Sequence, residues 1–354
     1  MNLRLRKWLE TALRQKASDL HLVVGLPPSL RVDGEIEFMA HEPLESEELE
    51  ESLLSLLTSL QRENLEARRD IEFSYSSPEL GRVRASYYYA CQQMEACFRL
   101  VPKEIPNFDD LGLPRVVEEL AGKTSGLLLI TGATGQGKTT TMNALIDFIN
   151  SERRARIITI EDPIEYVHSN KRSVVIQREV PTDASCFPSA LISALRQDPN
   201  VICVGELRNL DTISTALTAA ETGHLVLGTL HTNSATGAID RMIDAFPAHQ
   251  QNQTRIQIAG SLRGVICQQL LPRVAGKGRV LATEILVANN GVRTLVRSGR
   301  SDQIRNLIVM GQGEGMIAMD QSLRGLYERG EISYEQAVQC SHSGDLLKLS
   351  LIHI

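Results

Sequence analysis

The stretch GLLLITGATGQGKTTTMNALIDFINSE, residues 126–152, decides the fold of this chain. It begins with the apolar run GLLLIT, which predicts a buried strand, and it ends in a segment with helical spacing of apolar residues. Between them, Gly132, Gly137, Lys138 and Thr139 match the G-x-x-x-x-G-K-[ST] pattern of a phosphate-binding loop. Backbone N–H groups at a helix start, together with the positive end of its dipole, suit an anion. We therefore expect a nucleotide phosphate in this loop.

The segments after this loop repeat the alternation of strand and helix. RIITIED, NVICVGE and HLVLGTLH read as buried strands, and helical segments such as DTISTALTAAETG separate them. Continuous apolar strands that alternate with helices are typical of a mostly parallel sheet covered on both faces. We therefore predict an α/β core over residues 116–275.

The flanking sections have different patterns. Residues 1–102 predict a small α+β domain, with an amphipathic first helix, a second helix over 46–66 and three antiparallel strands in DIEFSYSS, GRVRASYYYA and EACFRLVP. KEIPNFDDLGLP is rich in Pro, Asp and Gly, and it predicts a linker over 103–115. Helical patterns dominate toward the end of the chain, so we expect a helical section over 276–354.

Composition limits the classes of function. The chain has 354 residues, which is longer than one hydrophobic core usually supports. Its net charge of −6 argues against a protein that mainly neutralises nucleic acid. No apolar run approaches the roughly 18 residues of a membrane span. The six cysteines show no C-x-x-C pairing, so we expect neither zinc nor a disulfide framework. We expect a cytoplasmic protein with reduced thiols.

Carboxylates follow two of the predicted strands. IITIEDPIEY supplies Glu161, Asp162 and Glu165, and VICVGE supplies Glu206 at the position of a Walker-B acid. Ligands bind at the carboxyl edge of open parallel sheets, and hydrolysis requires groups that orient a metal ion and a water molecule. Solvated acids at strand ends are the alternative interpretation.

Histidines and arginines add further candidates. His224 and His231 bracket the strand HLVLGTL. His231 is the better placed to sense a γ-phosphate, and a structural side chain is the alternative interpretation of each histidine. Arg82, Arg84 and Arg99 lie on neighbouring strands of the first section. Such arginines are either solvated or reach a nucleotide from another domain or subunit.

Together these motifs resemble the family of type IV pilus and type II secretion ATPases, and within it the branch that retracts pili. ASDLHLVVGLPPSLRVDG is similar to the start of the PAS-like N-terminal domain of that family, and GATGQGKTTT to its Walker A motif. IITIEDPIEYVH resembles its Asp box, VICVGELRN its glutamate Walker B and TGHLVLGTLHTNSA its His box. The resemblance implies a RecA-like core, a homo-hexameric ring, ATP turnover and an inner-membrane pilus platform protein as partner.

The resemblance also implies roles for single residues. Glu165 corresponds to the water-activating glutamate, Glu206 to the metal-linked one, and Arg84 and Arg99 to arginines that reach the nucleotide. ATP and Mg²⁺ are the implied cofactors, with Thr139 and Glu206 as the metal-linked residues and His231 as a third candidate for catalysis. The expected phosphate-loop residues are Gly132, Ala133, Thr134, Gly135, Gln136, Gly137, Lys138, Thr139 and Thr140.

The chain departs from the family pattern at two places. Gln92 and Gln93 stand where relatives usually have an arginine in an Asn-Arg-Gly turn. The C-terminal retraction signature is present only loosely, as VRTLVRSGRSDQIRNLI. An assembly or secretion ATPase of the same superfamily, an accessory retraction paralogue, a RecA-like DNA motor and a nucleotide-binding regulator without turnover stay as alternatives. Assembly and secretion ATPases usually carry a further N-terminal domain and a tetracysteine zinc site. We expect neither feature in this chain, which favours retraction over assembly or secretion.

Overall fold

The computed structural model describes residues 1–32, 34–102, 104–274, 276 and 278–341. The chain divides into two compact units. The first comprises Met1–Glu104 together with the three residues Glu165–Val167, and the second comprises Ile105–Ile164 and the chain from His168 onward. The domain boundaries inferred from the sequence stay predictions.

The first unit is built on a six-stranded sheet of order β3-β2-β1-β6-β5-β4, in which every pair is antiparallel. The strands are β1 Asp19–Leu22, β2 Ser29–Val32, β3 Glu35–Phe38, β4 Asp70–Ser77, β5 Gly81–Ala90 and β6 Gln93–Leu100. The three predicted strands of this section are therefore confirmed as β4, β5 and β6. Gln92 lies in the tight turn between β5 and β6, where its φ is 67°.

The first helix, α1 Leu3–Arg14, is the predicted amphipathic segment. Its buried face consists of Leu5, Trp8, Leu9 and Ala12, and the Asn2 side chain caps its start by accepting from the N–H of Leu5. Trp8, the single tryptophan of the sequence, packs edge-on against the ring of His41 with 5.7 Å between centroids. Burial of one such aromatic or leucine side chain stabilises the fold by about 1.5–3 kcal/mol.

The single helix predicted over 46–66 was wrong, because the chain forms two helices there, α2 Ser46–Leu54 and α3 Ser59–Arg68. Thr58 starts the second helix with a capping box. Its hydroxyl accepts from the N–H of Gln61, and the Gln61 side chain accepts from the N–H of Thr58. Two backbone donors that a continuous helix would pair internally are thereby satisfied locally, so the interruption is stable.

The second unit is built on a seven-stranded sheet of order β13-β12-β7-β11-β10-β8-β9. All neighbours are parallel except the β12–β13 pair. The strands are β7 Gly126–Thr131, β8 Arg156–Glu161, β9 Val174–Glu179, β10 Val201–Val204, β11 Leu225–Leu230, β12 Leu262–Pro272 and β13 Arg279–Val287. The mostly parallel α/β sheet predicted from the sequence is confirmed.

Helices cover both faces of this sheet, as the uninterrupted apolar strands require. On β7, Leu127 and Leu129 face one core while Leu128 and Ile130 face the other. The helices are α4 Phe108–Leu111, α5 Val116–Ala121, α6 Lys138–Glu152, α7 Phe187–Ala194, α8 Leu210–Glu221, α9 Ala235–Asp244, α10 Ala248–Ser261, α11 Asn290–Arg297, α12 Ile304–Met310, α13 Met319–Glu328 and α14 Tyr334–Cys340. Helix α4 lies inside the segment predicted as a linker, where Phe108 packs on Phe148 with centroids 5.1 Å apart.

The helical section predicted from residue 276 begins later. RVLATEILV forms β13, which pairs residue by residue with β12 from Gly264–Val287 to Pro272–Arg279. Its β-branched residues are suited to a strand whose central part is buried. The remaining described part, 290–341, has only helices and short 3-10 turns as named elements, so the helical C-terminal part is present; residues 342–354 lie outside the described residues.

Candidate functional site

The phosphate loop lies at the carboxyl end of β7, between β11 and β12 in the sheet. Gly132, Gly135 and Gly137 have φ values of 150°, 78° and 81°, in the region that favours glycine. A Cβ atom on Gly132 would lie 2.6 Å from the carbonyl oxygen of Gln268, so this position also requires the close approach of two backbones. These glycines allow the chain to turn sharply from the strand into α6.

Lys138 is the first residue of α6 and is buried. Its Nζ donates to the carbonyl oxygens of Gly132 and Ala133, at 2.8 and 2.9 Å. Burial lowers the pKa of this ammonium group, while the negative charge of Glu206 acts in the opposite direction. The carbonyl oxygens of the loop therefore bind the Lys138 ammonium group, and Glu206 is close enough to act on its pKa.

His231 links Lys138 to Glu206. Its Nδ1 lies 3.5 Å from Lys138 Nζ and 3.4 Å from Thr134 Oγ1, and its Nε2 lies 3.4 Å from a Glu206 carboxylate oxygen. Because a lysine ammonium can only donate, Nδ1 is the acceptor and Nε2 carries the proton that faces the carboxylate. The structure thus brings together three residues that the sequence singled out, from the start of α6 and from just after β10 and β11.

Arg208 is a neighbour of the site that the sequence analysis missed. Its Nε lies 3.3 Å from a Glu206 oxygen, although its side chain is 80% exposed. The two residues are separated by one position just after β10, so their spacing beside a predicted site acid was the available signal. An exposed arginine at a carboxylate contributes little to stability, but it places a positive charge next to the site.

Strand β12 supports the loop from its other side. The Gln136 side-chain oxygen accepts from the N–H of Leu270, and the Gln136 carbonyl oxygen accepts from Gln268 Nε2 at 3.0 Å. Arg279 Nη1 on β13 donates to the carbonyl oxygen of Gly135 at 3.2 Å. Gln268, Leu270 and Arg279 were also missed, because neither β12 nor β13 was identified as a strand.

The carboxylates after β8 are not equivalent. Glu161 is buried, and one of its oxygens accepts from Thr159 Oγ1 at 2.6 Å and from Gln177 Nε2 at 3.1 Å. Asp162 is exposed. Glu165 is exposed and belongs to the three residues that are grouped with the first unit, so its role in activating water stays a prediction.

The residues present fit a magnesium ion that is held mainly by phosphate and water. Mg²⁺ in nucleotide sites takes one or two protein oxygens and keeps several waters. Thr139, the second residue of α6, is half-buried, and Glu206 follows β10, which β11 separates from β7 in the sheet. No group of three His, Cys, Asp or Glu side chains in the described part could hold a metal ion by itself. The hydroxyl and the single carboxylate are therefore the protein oxygens that we assign to the metal ion by prediction.

His224 lies at the start of β11, at the opposite end of the strand from His231. Its Nδ1 lies 3.0 Å from the carbonyl oxygen of Ala219 and 3.3 Å from Thr222 Oγ1. These contacts tie the end of α8 to β11.

In the first unit, Arg84 and Arg99 are direct cross-strand neighbours on β5 and β6. Arg99 Nε contacts Asp19 Oδ1 at 2.9 Å. Burial would raise the pKa of Asp19, but hydrogen bonds from Arg99 and Ser18 bring it below its ordinary value. Arg99 is partly neutralised by this carboxylate, and the reach of Arg84 and Arg99 to a nucleotide stays a prediction.

Comparisons with known proteins agree on one family. Residues 2–336 match the model of the family described as type II/IV secretion system protein. The chain is 42% identical to the type IV pilus retraction ATPase PilT of Pseudomonas aeruginosa over 93% of this chain and 95% of that protein. It is 36% identical to the type IV pilus ATPase PilU of the same organism, over 98% of this chain and 90% of that one.

Solved structures agree as well. A crystal structure of the pilus retraction motor PilT with bound ADP superposes with a TM-score of 0.90 and 44% sequence identity, covering 97% of each chain. In the described part of the present chain, no helix has the length and apolar character that a membrane span requires. The chain belongs to the type II/IV secretion system protein family.

Proposed function

We propose that this chain is an ATPase motor that drives the retraction of type IV pili. The observation that carries the proposal is the contact of His231 with both Lys138 and Glu206 at the phosphate loop. This contact joins the phosphate-binding lysine to the metal-linked acid through a group that can respond to a γ-phosphate. The similarity to PilT along nearly the whole chain supports pilus retraction as the process that the ATPase drives.

The proposed roles follow the chemistry of each group. Lys138 neutralises charge on the β- and γ-phosphates, Thr139 and Glu206 hold Mg²⁺, and Glu165 orients the attacking water. Mg²⁺ supplies positive charge that stabilises the phosphate oxygens during transfer. The remaining proposed nucleotide contacts are Gly132, Ala133, Thr134, Gly135, Gln136, Gly137, Thr140, Arg84 and Arg99.

The enzymatic part is tested with purified full-length protein and MgATP. We expect Lys138→Ala to lose nucleotide binding or turnover, and Glu165→Gln to bind ATP but hydrolyse it at least about a hundredfold more slowly. Lys123→Ala, which changes an exposed lysine outside the phosphate loop, is the control. Wild-type turnover in both variants would contradict the site assignment. Undetectable hydrolysis by the wild type would favour a regulator without turnover.

We also propose that the chain acts as a homo-hexamer on the cytoplasmic side of the inner membrane, bound to a platform protein of the pilus machine. Light scattering in the presence of MgATP should give six times the 39.1 kDa mass of one chain. A monomer or dimer at micromolar concentration would contradict the ring.

The direction of action is tested by deleting the gene in the host organism and counting surface pili alongside twitching. Excess pili together with lost movement is the outcome expected for retraction. Absence of pili would favour an assembly or secretion ATPase, and an unchanged cell would contradict a principal role.

An accessory retraction paralogue is the second candidate. The similarity to PilU, which extends over 98% of this chain, favours keeping it. An accessory protein should fail to restore movement when it is produced in a strain that lacks its principal retraction ATPase. A principal motor should restore it.

A RecA-like DNA motor is the candidate from another class. The net charge of −6 weighs against it, because such a motor binds a phosphate backbone along a basic groove. Stimulation of the ATPase by DNA would restore this candidate, and a rate that is independent of DNA would remove it.

A further inference from the structure

The residues on either side of Glu165–Val167 are buried in the second unit. Ile164 and His168 are buried, whereas Glu165 is exposed and Val167 is 52% exposed. Residues 162–168 belong to no helix or strand. The predicted water-activating glutamate therefore stands on a short exposed stretch between two fixed points.

Side chains of β9 hold the backbone at both points. Glu179 accepts from the N–H of Ile164 at 3.0 Å, and Gln177 accepts from the N–H of His168 at 2.9 Å. Because side chains alternate along a strand, residues 177 and 179 lie on the same face of β9. Two alternate residues of one edge strand thus fix both ends of the exposed stretch.

The His168 ring makes a second connection, to the helix of the phosphate loop. Its Nε2 lies 2.7 Å from Asn143 Oδ1, and Asn143 Nδ2 donates to the carbonyl oxygen of Thr139 at 2.9 Å. Since an amide oxygen only accepts, Nε2 carries the proton. Nδ1 is buried and has no hydrogen-bond partner in the described part of the chain. The bond that Nε2 donates to Asn143 is therefore the hydrogen bond of the ring in that part of the chain.

We propose that His168 is a positioning residue for Glu165, which ties the end of the exposed stretch to the first turn of α6. The proposal rests on the proposed function, in which Glu165 orients water beside phosphates bound at that same turn. A displacement of about 1 Å in such a group can lower a rate by about a hundredfold. The connection through Asn143 runs from the residue that follows the glutamate stretch to the helix that follows the phosphate loop.

Two substitutions at this position separate positioning from folding. His168→Gln places an amide donor at about the position of Nε2 and preserves the bond to Asn143. His168→Met has similar length but no donor. We expect His168→Met to lower kcat at least about tenfold with KM for ATP within about twofold of wild type, and His168→Gln to restore most of kcat.

Hydrogen exchange of the peptide that covers residues 162–168 gives a readout that is independent of activity. We expect faster exchange in His168→Met than in wild type, with unchanged exchange in β7, and wild-type exchange in His168→Gln. Wild-type kcat or wild-type exchange in His168→Met would overturn the inference while leaving the proposed function intact. A wild-type protein without turnover would remove the proposed function and the positioning role with it.

Discussion

At the scale of single residues, His231 makes the contacts that connect the residues of the candidate site. It contacts Lys138 and Thr134 through one ring nitrogen and Glu206 through the other. We expect His231→Ala to lower kcat for ATP about ten- to a hundredfold, because the lysine and the acid lose the side chain that links them. His224→Ala at the other end of β11 is the matched control, and it should stay within about twofold. Equal losses in steady-state assays of the two variants would contradict a specific role.

A second residue-scale expectation concerns pH. Burial lowers the pKa of His168 from its ordinary 6.5 to about 4; Asp147 opposes this shift and Lys171 adds to it. Between these two values the unfolded chain binds a proton that the folded protein does not. Stability is therefore fully present above pH 6.5 and falls as the pH drops toward 4, by up to about 3 kcal/mol from this group.

This expectation is measured by denaturant unfolding followed by circular dichroism at pH 7 and pH 5. His168→Gln has no titrating ring, so it should lose less stability than wild type over this interval. The carboxylates titrate in both proteins and cancel in the comparison. An equal loss in both proteins would show that the ring is not held neutral in the folded state.

At the scale of elements, the phosphate loop depends on left-handed glycines. Gly137 has a φ of 81°, and a Cβ there would lie 3.3 Å from Leu270 Cδ1. We expect Gly137→Ala to destabilise the loop by about 1–2 kcal/mol and to weaken ATP binding, as measured by titration of a fluorescent nucleotide. Gly260→Ala in α10 has nothing within 4 Å of its new Cβ and should bind ATP normally. Wild-type affinity in Gly137→Ala would contradict the required backbone shape.

Helices and strands with a strong local sequence pattern were predictable. Those whose limits depend on side-chain capping or on pairing with another strand were not. β7 and the start of α6 follow directly from an apolar run and a loop motif. The break between α2 and α3 depends on the capping box of Thr58 and Gln61, which lies within a leucine-rich helical pattern. β13 was not predicted, because the sequence analysis did not identify β12, the strand with which β13 pairs.

At the scale of the whole molecule, the sequence predicted residues that the structure brings together, but it did not predict the residues that support them. Lys138, Glu206 and His231 each follow a recognisable strand, so the carboxyl edge of a parallel sheet was enough to bring them together. Gln268 was missed because its contact with Gln136 joins distant parts of the chain, and Arg208 was missed although it stands two residues after Glu206. The anchoring of the Glu165 stretch was likewise invisible, since Gln177, Glu179 and Asn143 are separated from it in sequence.

The division into two units leads to a further expectation for the intact protein. Trp8 is the single tryptophan and lies in the first unit, whereas the phosphate loop lies in the second. If nucleotide alters the first unit, as the proposed role of Arg84 and Arg99 requires, we expect MgATP to shift the emission of Trp8. Lys138→Ala should show no shift, and a constant wild-type spectrum would count against participation of the first unit.

The edge-on contact of Trp8 with His41 makes this residue a built-in optical label. Indole emission responds to a neighbouring imidazole and to water, and here it comes from one known place without any attached dye. A stopped-flow trace recorded during a single ATP turnover would therefore time the response of the first unit directly. The wavelength and intensity of Trp8 emission would thus show when the first unit responds during an ATP turnover.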